Sequence, residues 1–242
     1  AWSGLAIACL RLRRYPECLQ AIARTLSLDS RQLQPHLIAA AAASQMGRYG
    51  DALQAVDTAL ALSPDNSQAL NNKATALLKL RRFTEVISLA ERTVRLEPDN
   101  SNAYLNWGAA LHALGRSSEA LAVFDRLLVA HPDHAKALMN RSSVLLALGC
   151  AEESLQSANT ALEIQPDSTV ALLNRTAALL SLQRPHEALA TADQLLQLHP
   201  RHIKGLINKV IALLALRDYQ TALATVFSAL TFDSFNPDML EL

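Results

Sequence analysis

The amino-acid sequence predicts an all-α protein, a solenoid of short antiparallel helix pairs. Two observations predict it. Prolines stand at Pro64, Pro98, Pro132, Pro166 and Pro200, each 34 residues after the last, and a fixed period of that length marks stacked helical hairpins. Leu and Ala supply most of an apolar content of 50%. Ala loses no side-chain entropy in a helix, so Ala-rich surface is best used by short helices packed at close range.

Extending the period outward reaches Ser30 and Ser234, in the contexts Leu28-Asp29-Ser30 and Phe232-Asp233-Ser234. With the recurring proline as position 32, the chain reads as a single array over 1–242. Its repeats are 1–32, 33–66, 67–100, 101–134, 135–168, 169–202 and 203–236, with the start of a further helix at 237–242. Each repeat is expected to hold a helix A, a turn and a helix B. Small residues at position 8 (Ala6, Ala40, Ala74, Gly108, Ser142, Thr176, with Val210 the exception) face small residues at position 20 (Cys18, Ala52, Val86, Ala120, Ser154, Ala188, Ala222). They let the two helices approach closely. Leucines at position 14 (Leu12, Leu80, Leu114, Leu148, Leu182, Leu216) and position 21 are expected to seal the layers. Gly47, Gly115 and Gly149 can end helix A in a left-handed conformation, and Pro185 fits the start of a helix B. The Asp after the proline (Asp65, Asp99, Asp133, Asp167) is expected to cap the next helix A.

This spacing of small residues, leucines and prolines resembles the tetratricopeptide repeat family over essentially the whole chain. The resemblance implies a right-handed superhelix whose concave face is lined by positions 2, 5, 6, 9, 12 and 13 of helix A. Position 6 reads Asn72, Asn106, Asn140, Asn174 and Asn208 in five successive repeats. Asn is a poor residue inside a helix, costing roughly 0.5 kcal/mol against Ala. Its carboxamide can pair with both groups of a peptide unit. The row is therefore read as a backbone-capturing ladder in a ligand groove, the alternative being bonds within or between repeats. Leu105, Met139, Leu173 and Ile207 at position 5 are the expected apolar wall. Lys136 and Lys204 reproduce part of the clamp by which tetratricopeptide co-chaperones hold a C-terminal carboxylate. Position 5 carries no Lys or Arg, so a chaperone-tail receptor is disfavoured. Lys73, Arg141, Arg175 and Lys209 at position 7 hold acidic ligand residues or pair with the preceding repeat. The asparagine row is also similar to that in the arm of O-GlcNAc transferases, which implies, as an alternative to a peptide-binding scaffold, the substrate-recognition arm of a larger enzyme. The third alternative is a self-assembling scaffold.

The charge balance supports a protein partner. Lys plus Arg equals Asp plus Glu at 22 each, leaving no basic surplus to neutralise phosphates, so no nucleic-acid partner is expected. No apolar run is long enough for a membrane span. No phosphate loop, nucleophile elbow or paired-His zinc motif occurs, so no catalytic residue, cofactor or resident metal is expected and the chain is read as a non-enzyme. His131 with His134, and His199 with His202, are two-His sets without a third ligand and are read as turn residues. Cys9 and Cys18 are read as small core residues, Tyr104 as packing and Trp107 as a gap filler between repeats. The ends carry no polar cap, which together with the apolar groove points to a possible homo-oligomer. A cytoplasmic location is slightly favoured.

Overall fold

A computed structural model of the chain describes residues 2–232, with side chains through Leu230. Fourteen helices and no strand occur among them. The A helices are α1 (Trp2–Arg11), α3 (Leu33–Gln45), α5 (Ser67–Lys79), α7 (Ser101–Ala113), α9 (Ala135–Ala147), α11 (Thr169–Ser181) and α13 (Ile203–Ala215). The B helices are α2 (Tyr15–Leu28), α4 (Tyr49–Leu62), α6 (Phe83–Leu96), α8 (Ser117–Ala130), α10 (Ala151–Ile164), α12 (Pro185–Leu198) and α14 (Tyr219–Phe232). From α3 onward every A helix begins where the 34-residue period places it. The further helix expected at 237–242 lies outside the described residues.

The chain divides into two compact halves, Ala1–Arg116 and Ser117–Leu242. In the N-terminal half each helix packs on the next, and the A helices also meet one another, α1 with α3, α3 with α5 and α5 with α7. The C-terminal half repeats the scheme, α9 touching α11 and α11 touching α13. No B helix makes comparable contact with another B helix among the described residues of either half. Within each half the A layer is therefore the more closely spaced, which puts it on the inside of the curve.

Positions 8 and 20 are buried throughout, from Ala6 at 1% exposed to Val210 at 2% and Ala222 at 3%. In the fifth repeat both are serines. Ser142 Oγ donates to the Ser154 carbonyl at 3.0 Å, Ser154 Oγ donates to the Ser142 carbonyl at 2.9 Å, and the hydroxyls lie 2.8 Å apart. Polar groups can occupy this contact only because each satisfies the other. Cys9 and Cys18 are buried beside Ala6, Ala21 and Ile22 as free thiols, and burial pushes the Cys18 thiol up.

The leucines of position 14 seal the layers only in part: Leu182 packs partly buried against the cluster of Leu155, Leu179 and Ala188, but others stand open. Leu80, Leu114 and Leu148 stand just past the ends of α5, α7 and α9 and are 42%, 41% and 37% exposed. The large buried side chains stand instead at positions 4 and 11, such as Leu70, Leu77, Leu145, Leu172 and Leu179. Position 14 lies one residue past the helix, with no following turn to cover it, whereas positions 4 and 11 stand two turns apart on the one face of the helix that is buried.

The turn after helix A is the same in all seven repeats. The N–H of position 16 closes back on the carbonyl of position 11, as from Arg48 to Ala43 and from Arg184 to Leu179, both 2.9 Å. This closure requires a left-handed residue at position 15. Gly47, Gly115 and Gly149 supply it at φ +74°, +77° and +78°, and Arg13, Arg81, Gln183 and Arg217 adopt it without being glycine at φ +57°, +60°, +56° and +61°.

The cap of helix A falls one residue later than expected. Asn66 Oδ1 accepts from the Ala69 N–H at 2.8 Å, Asn100 Oδ1 from Ala103 at 3.1 Å and Ser168 Oγ from Ala171 at 3.4 Å. His134 Nδ1 and His202 Nδ1 do the same for Ala137 and Gly205, at 3.3 and 3.2 Å. The capping side chain must precede the first helical residue directly, and the Asp of position 33 is one place too early. Asp65 instead pairs with Arg92 at 2.6 Å.

Candidate functional site

Positions 2, 5, 6, 9 and 12 of the A helices build one face of each half. In the N-terminal half it carries Asn72 on α5 and Leu105 and Asn106 on α7. The other eight predicted residues, Lys136, Met139, Asn140, Leu173, Asn174, Lys204, Ile207 and Asn208, lie in the C-terminal half on α9, α11 and α13.

The asparagines reach across to the preceding A helix. Asn174 Nδ2 donates to the Met139 carbonyl and to Ser143 Oγ, both at 2.9 Å. Asn106 Nδ2 donates to Thr75 Oγ1 at 3.3 Å, and Asn72 Nδ2 to the Leu37 carbonyl at 3.5 Å. Ser143 and Thr75 are position 9 of the preceding A helix, and Leu37 and Met139 are position 5. A hydroxyl at position 9 thus decides how firmly the amide is held. Before Asn208 that position is Ala177, which offers no acceptor. The alternative of bonds between repeats is observed for three members of the row. In those three the N–H groups are used, while Oδ1 accepts no hydrogen bond among the described residues.

Leu105, Leu173 and Ile207 are half-buried. Met139 is only 8% exposed, and its sulfur accepts from Ser168 Oγ at 2.9 Å, so it forms the floor between α9 and α11. Tyr104 is buried and stacks on half-buried Trp107 with ring centroids 6.5 Å apart. The most exposed apolar side chains of the C-terminal A layer are Leu214 at position 12 (38%), one of the apolar residues that the sequence sets beside the asparagine row, and two that it did not single out, Val170 at position 2 (47%) and Ile211 at position 9 (37%).

The position 7 cations do not stand beside the asparagine row. Lys73 Nζ pairs with Asp57 at 2.7 Å, Arg141 Nε with Asp125 at 2.6 Å, and Lys209 Nζ with Asp193 at 2.7 Å. Each acid is position 25 of the preceding helix B, so the cations lie on the B side of the layer and pair with the preceding repeat. Arg141 also donates to Ser157 Oγ on its own helix B at 2.6 Å. A cavity of about 450 Å³ between α8 and α10 is lined by Asp125, Arg141, Ser157 and exposed Val129. Arg175 is the exception. Position 25 before it is Asn159, and the buried Nε of Arg175 has no hydrogen-bond partner.

Sequence reading also missed a second recurring pair. Arg at position 16 binds the acid at position 19, as in Arg14–Glu17 (2.9 Å), Arg82–Glu85 (2.6 Å) and Arg184–Glu187 (2.7 Å). The bond from Arg184 holds the Glu187 carboxyl below its ordinary range. For Glu17 its own backbone N–H contributes most, then Arg14. The signal was present as Arg-x-x-Glu or Arg-x-x-Asp at the same phase of several repeats. No group of three metal-ligating side chains occurs among the described residues, and none of their helices is long and apolar enough to cross a membrane.

Residues 39–101, 74–132, 105–169 and 177–237 match the model of the tetratricopeptide repeat, and the chain belongs to that family. No curated protein matches its sequence. Among solved structures it is similar to TTC0263, a thermophilic tetratricopeptide protein of Thermus thermophilus. The two share 25% identity at a TM-score of 0.65, over 76% of this chain and 100% of that one. PilW, a type IV pilus biogenesis factor, aligns at 20% identity and TM-score 0.77 over 84% of this chain and 94% of its own. YrrB, whose structure is described as having an unusual peptide-binding site, aligns at 19% identity and TM-score 0.58, covering 79% and 98%. The last two show the fold alone.

Proposed function

We propose that the chain is a protein-interaction scaffold whose A-helix face holds an extended peptide segment of another protein. The observation that carries this reading is the pairing of two features on the C-terminal A layer. Val170, Ile211 and Leu214 stand exposed, and between them Asn174 is tied down through its N–H groups with Oδ1 open. An anchored acceptor is already ordered before the ligand arrives, which reduces the entropy lost on binding. Apolar contacts beside it receive side chains, as in recognition of extended peptides generally. Peptide binding by a protein of the same fold, YrrB, agrees with this reading.

A random 12-residue peptide library displayed on phage and selected against the chain tests it. Binding of the enriched peptides should fall at least tenfold in Val170→Asp and Ile211→Asp variants. It should be unchanged in Val129→Asp, an exposed position on helix B. Circular dichroism confirms that the variants fold. A library that enriches nothing, or peptides sensitive to Val129 and not to Val170, would overturn the reading.

A second reading, self-association, is favoured by one observation. Tyr219, Leu223 and Phe227 form an i, i+4, i+8 stripe on α14 and are 62%, 57% and 60% exposed. Sedimentation velocity across a concentration series should show association that Phe227→Glu weakens. A monomer at every concentration removes it.

A further inference from the structure

The zero net charge of the chain conceals a segregation by helix. None of the seven A helices contains an Asp or a Glu. They do contain Arg11, Lys73, Lys79, Lys136, Arg141, Arg175, Lys204 and Lys209. The described acids lie in the B helices and turns, among them Asp57, Asp125, Glu152, Glu153 and Asp193. Counting charge repeat by repeat averages this away, because each repeat holds one helix of each kind.

On the C-terminal A layer the consequence is three helices with cations and no carboxylate, the nearest acids in sequence, Asp133 and Asp167, standing in the turns before α9 and α11. Of the layer's position 7 cations, Arg141 and Lys209 are taken by position 25 acids on the B side, and Arg175 has Asn159 at that place. Lys136 and Lys204, at position 2 of α9 and α13, are exposed and form no ion pair among the described residues. Between them, at position 2 of α11, stands Val170, 47% exposed. The order across the face is cation, apolar, cation.

Resting on the peptide-binding reading above, we propose that the occupant of this face is an internal peptide segment with two acidic side chains flanking an apolar one. Packed helices lie about 8–10 Å apart. Two steps from α9 to α13 therefore span roughly 16–20 Å, which at about 3.1 Å per residue of an extended polyproline-II segment sets the two acids about six residues apart, and its three residues per turn put the residue midway on the same side. The apolar side chain midway meets Val170 and Leu173, and backbone N–H groups meet the open Oδ1 of Asn174. A cationic segment is excluded twice, by repulsion from the lysines and by the lack of any A-helix carboxylate to receive it. Position 5 supplies no cation for a terminal carboxylate, so the acids are side chains within the segment.

The phage library tests the chemistry separately from the location. Peptides enriched on the wild-type chain should carry two Asp or Glu about six residues apart around a midway apolar residue. Changing both acids to Asn or Gln should weaken binding at least tenfold, and so should a rise in salt from 50 to 500 mM. Selection against a Lys136→Glu, Lys204→Glu chain should instead enrich Lys or Arg at the same spacing. Peptides that lose binding on Val170→Asp but carry no such acids, or that bind the charge-reversed chain equally well, would overturn this proposal and leave the peptide-binding reading standing. Peptides insensitive to Val170→Asp would overturn both.

Discussion

At the scale of single residues, the repeats act as controls for one another. Arg175 has the position of Lys73, Arg141 and Lys209 but faces Asn159 where they face Asp. Asn159→Asp should therefore complete the fourth pair and raise stability, by about 0.2–1 kcal/mol given the solvent around such pairs. Urea unfolding of the two chains checks it, and a variant no more stable than the parent would mean that Arg175 already has its charge satisfied elsewhere. Gln183 offers a second comparison, being a left-handed residue with a side chain where Gly47, Gly115 and Gly149 have none. A Cβ in that conformation costs roughly 1 kcal/mol, so Gln183→Gly should raise the thermal midpoint. The gain is smaller than that cost because glycine also loses more freedom on folding.

At the scale of the helix pair, Ser142 and Ser154 show how a polar contact survives where other repeats use alanine and cysteine. Ser142→Ala or Ser154→Ala alone breaks up the reciprocal bonds and should cost about 1–2 kcal/mol. The double change reproduces the apolar contact of repeats such as Ala40 with Ala52, and should cost less than the two single changes added together. A strictly additive cycle would show that the hydroxyls act independently. The asparagine row belongs to this scale as well. Because Asn174 bonds to Met139 and Ser143, Asn174→Ala should now lower stability and not raise it. Asn208, without a hydroxyl before it, should tolerate Ala better.

At the scale of the whole molecule, each half is one-dimensional in its contacts. Within each half a helix meets only its nearest neighbours and, for the A helices, the next A helix. Stability in such arrays is a sum of repeat and interface contributions. Removal of residues 203–242 should lower both the denaturant midpoint and the slope of unfolding, since less surface is exposed. An unchanged midpoint would place the stability elsewhere than in stacking.

The period, the helix starts and the small residues at positions 8 and 20 were legible because they follow from local geometry repeated seven times. The caps were misplaced by one residue because Asp65 and Asn66 are both good capping types, and only the backbone path separates them. Position 14 leucines such as Leu80 and Leu114 read as core in the sequence and stand open in the structure, because periodicity reports type and not cover. The asparagine row was visible, but the direction of its amides depends on position 9 of another repeat, 31 residues away for Asn106 and Thr75. The acid-free A helices are visible in the sequence only when charge is read helix by helix, because each repeat joins one acid-free helix to one that carries acids.

The contact of A helix with A helix, without comparable contact between B helices among the described residues, gives each half two sides of unequal stiffness. On the A side every step is fixed by packing and, at Asn174, by two hydrogen bonds to the helix before. On the B side neighbouring helices are joined through the A layer beneath, with clefts such as that beside Val129 between them. Bending within a half should therefore open and close the outer clefts while the inner steps keep their length. The A layer works as a ruler. Whatever lies along it is measured in steps of one repeat, and a segment whose side chains fall out of phase with those steps gains nothing from the flexibility of the outer side.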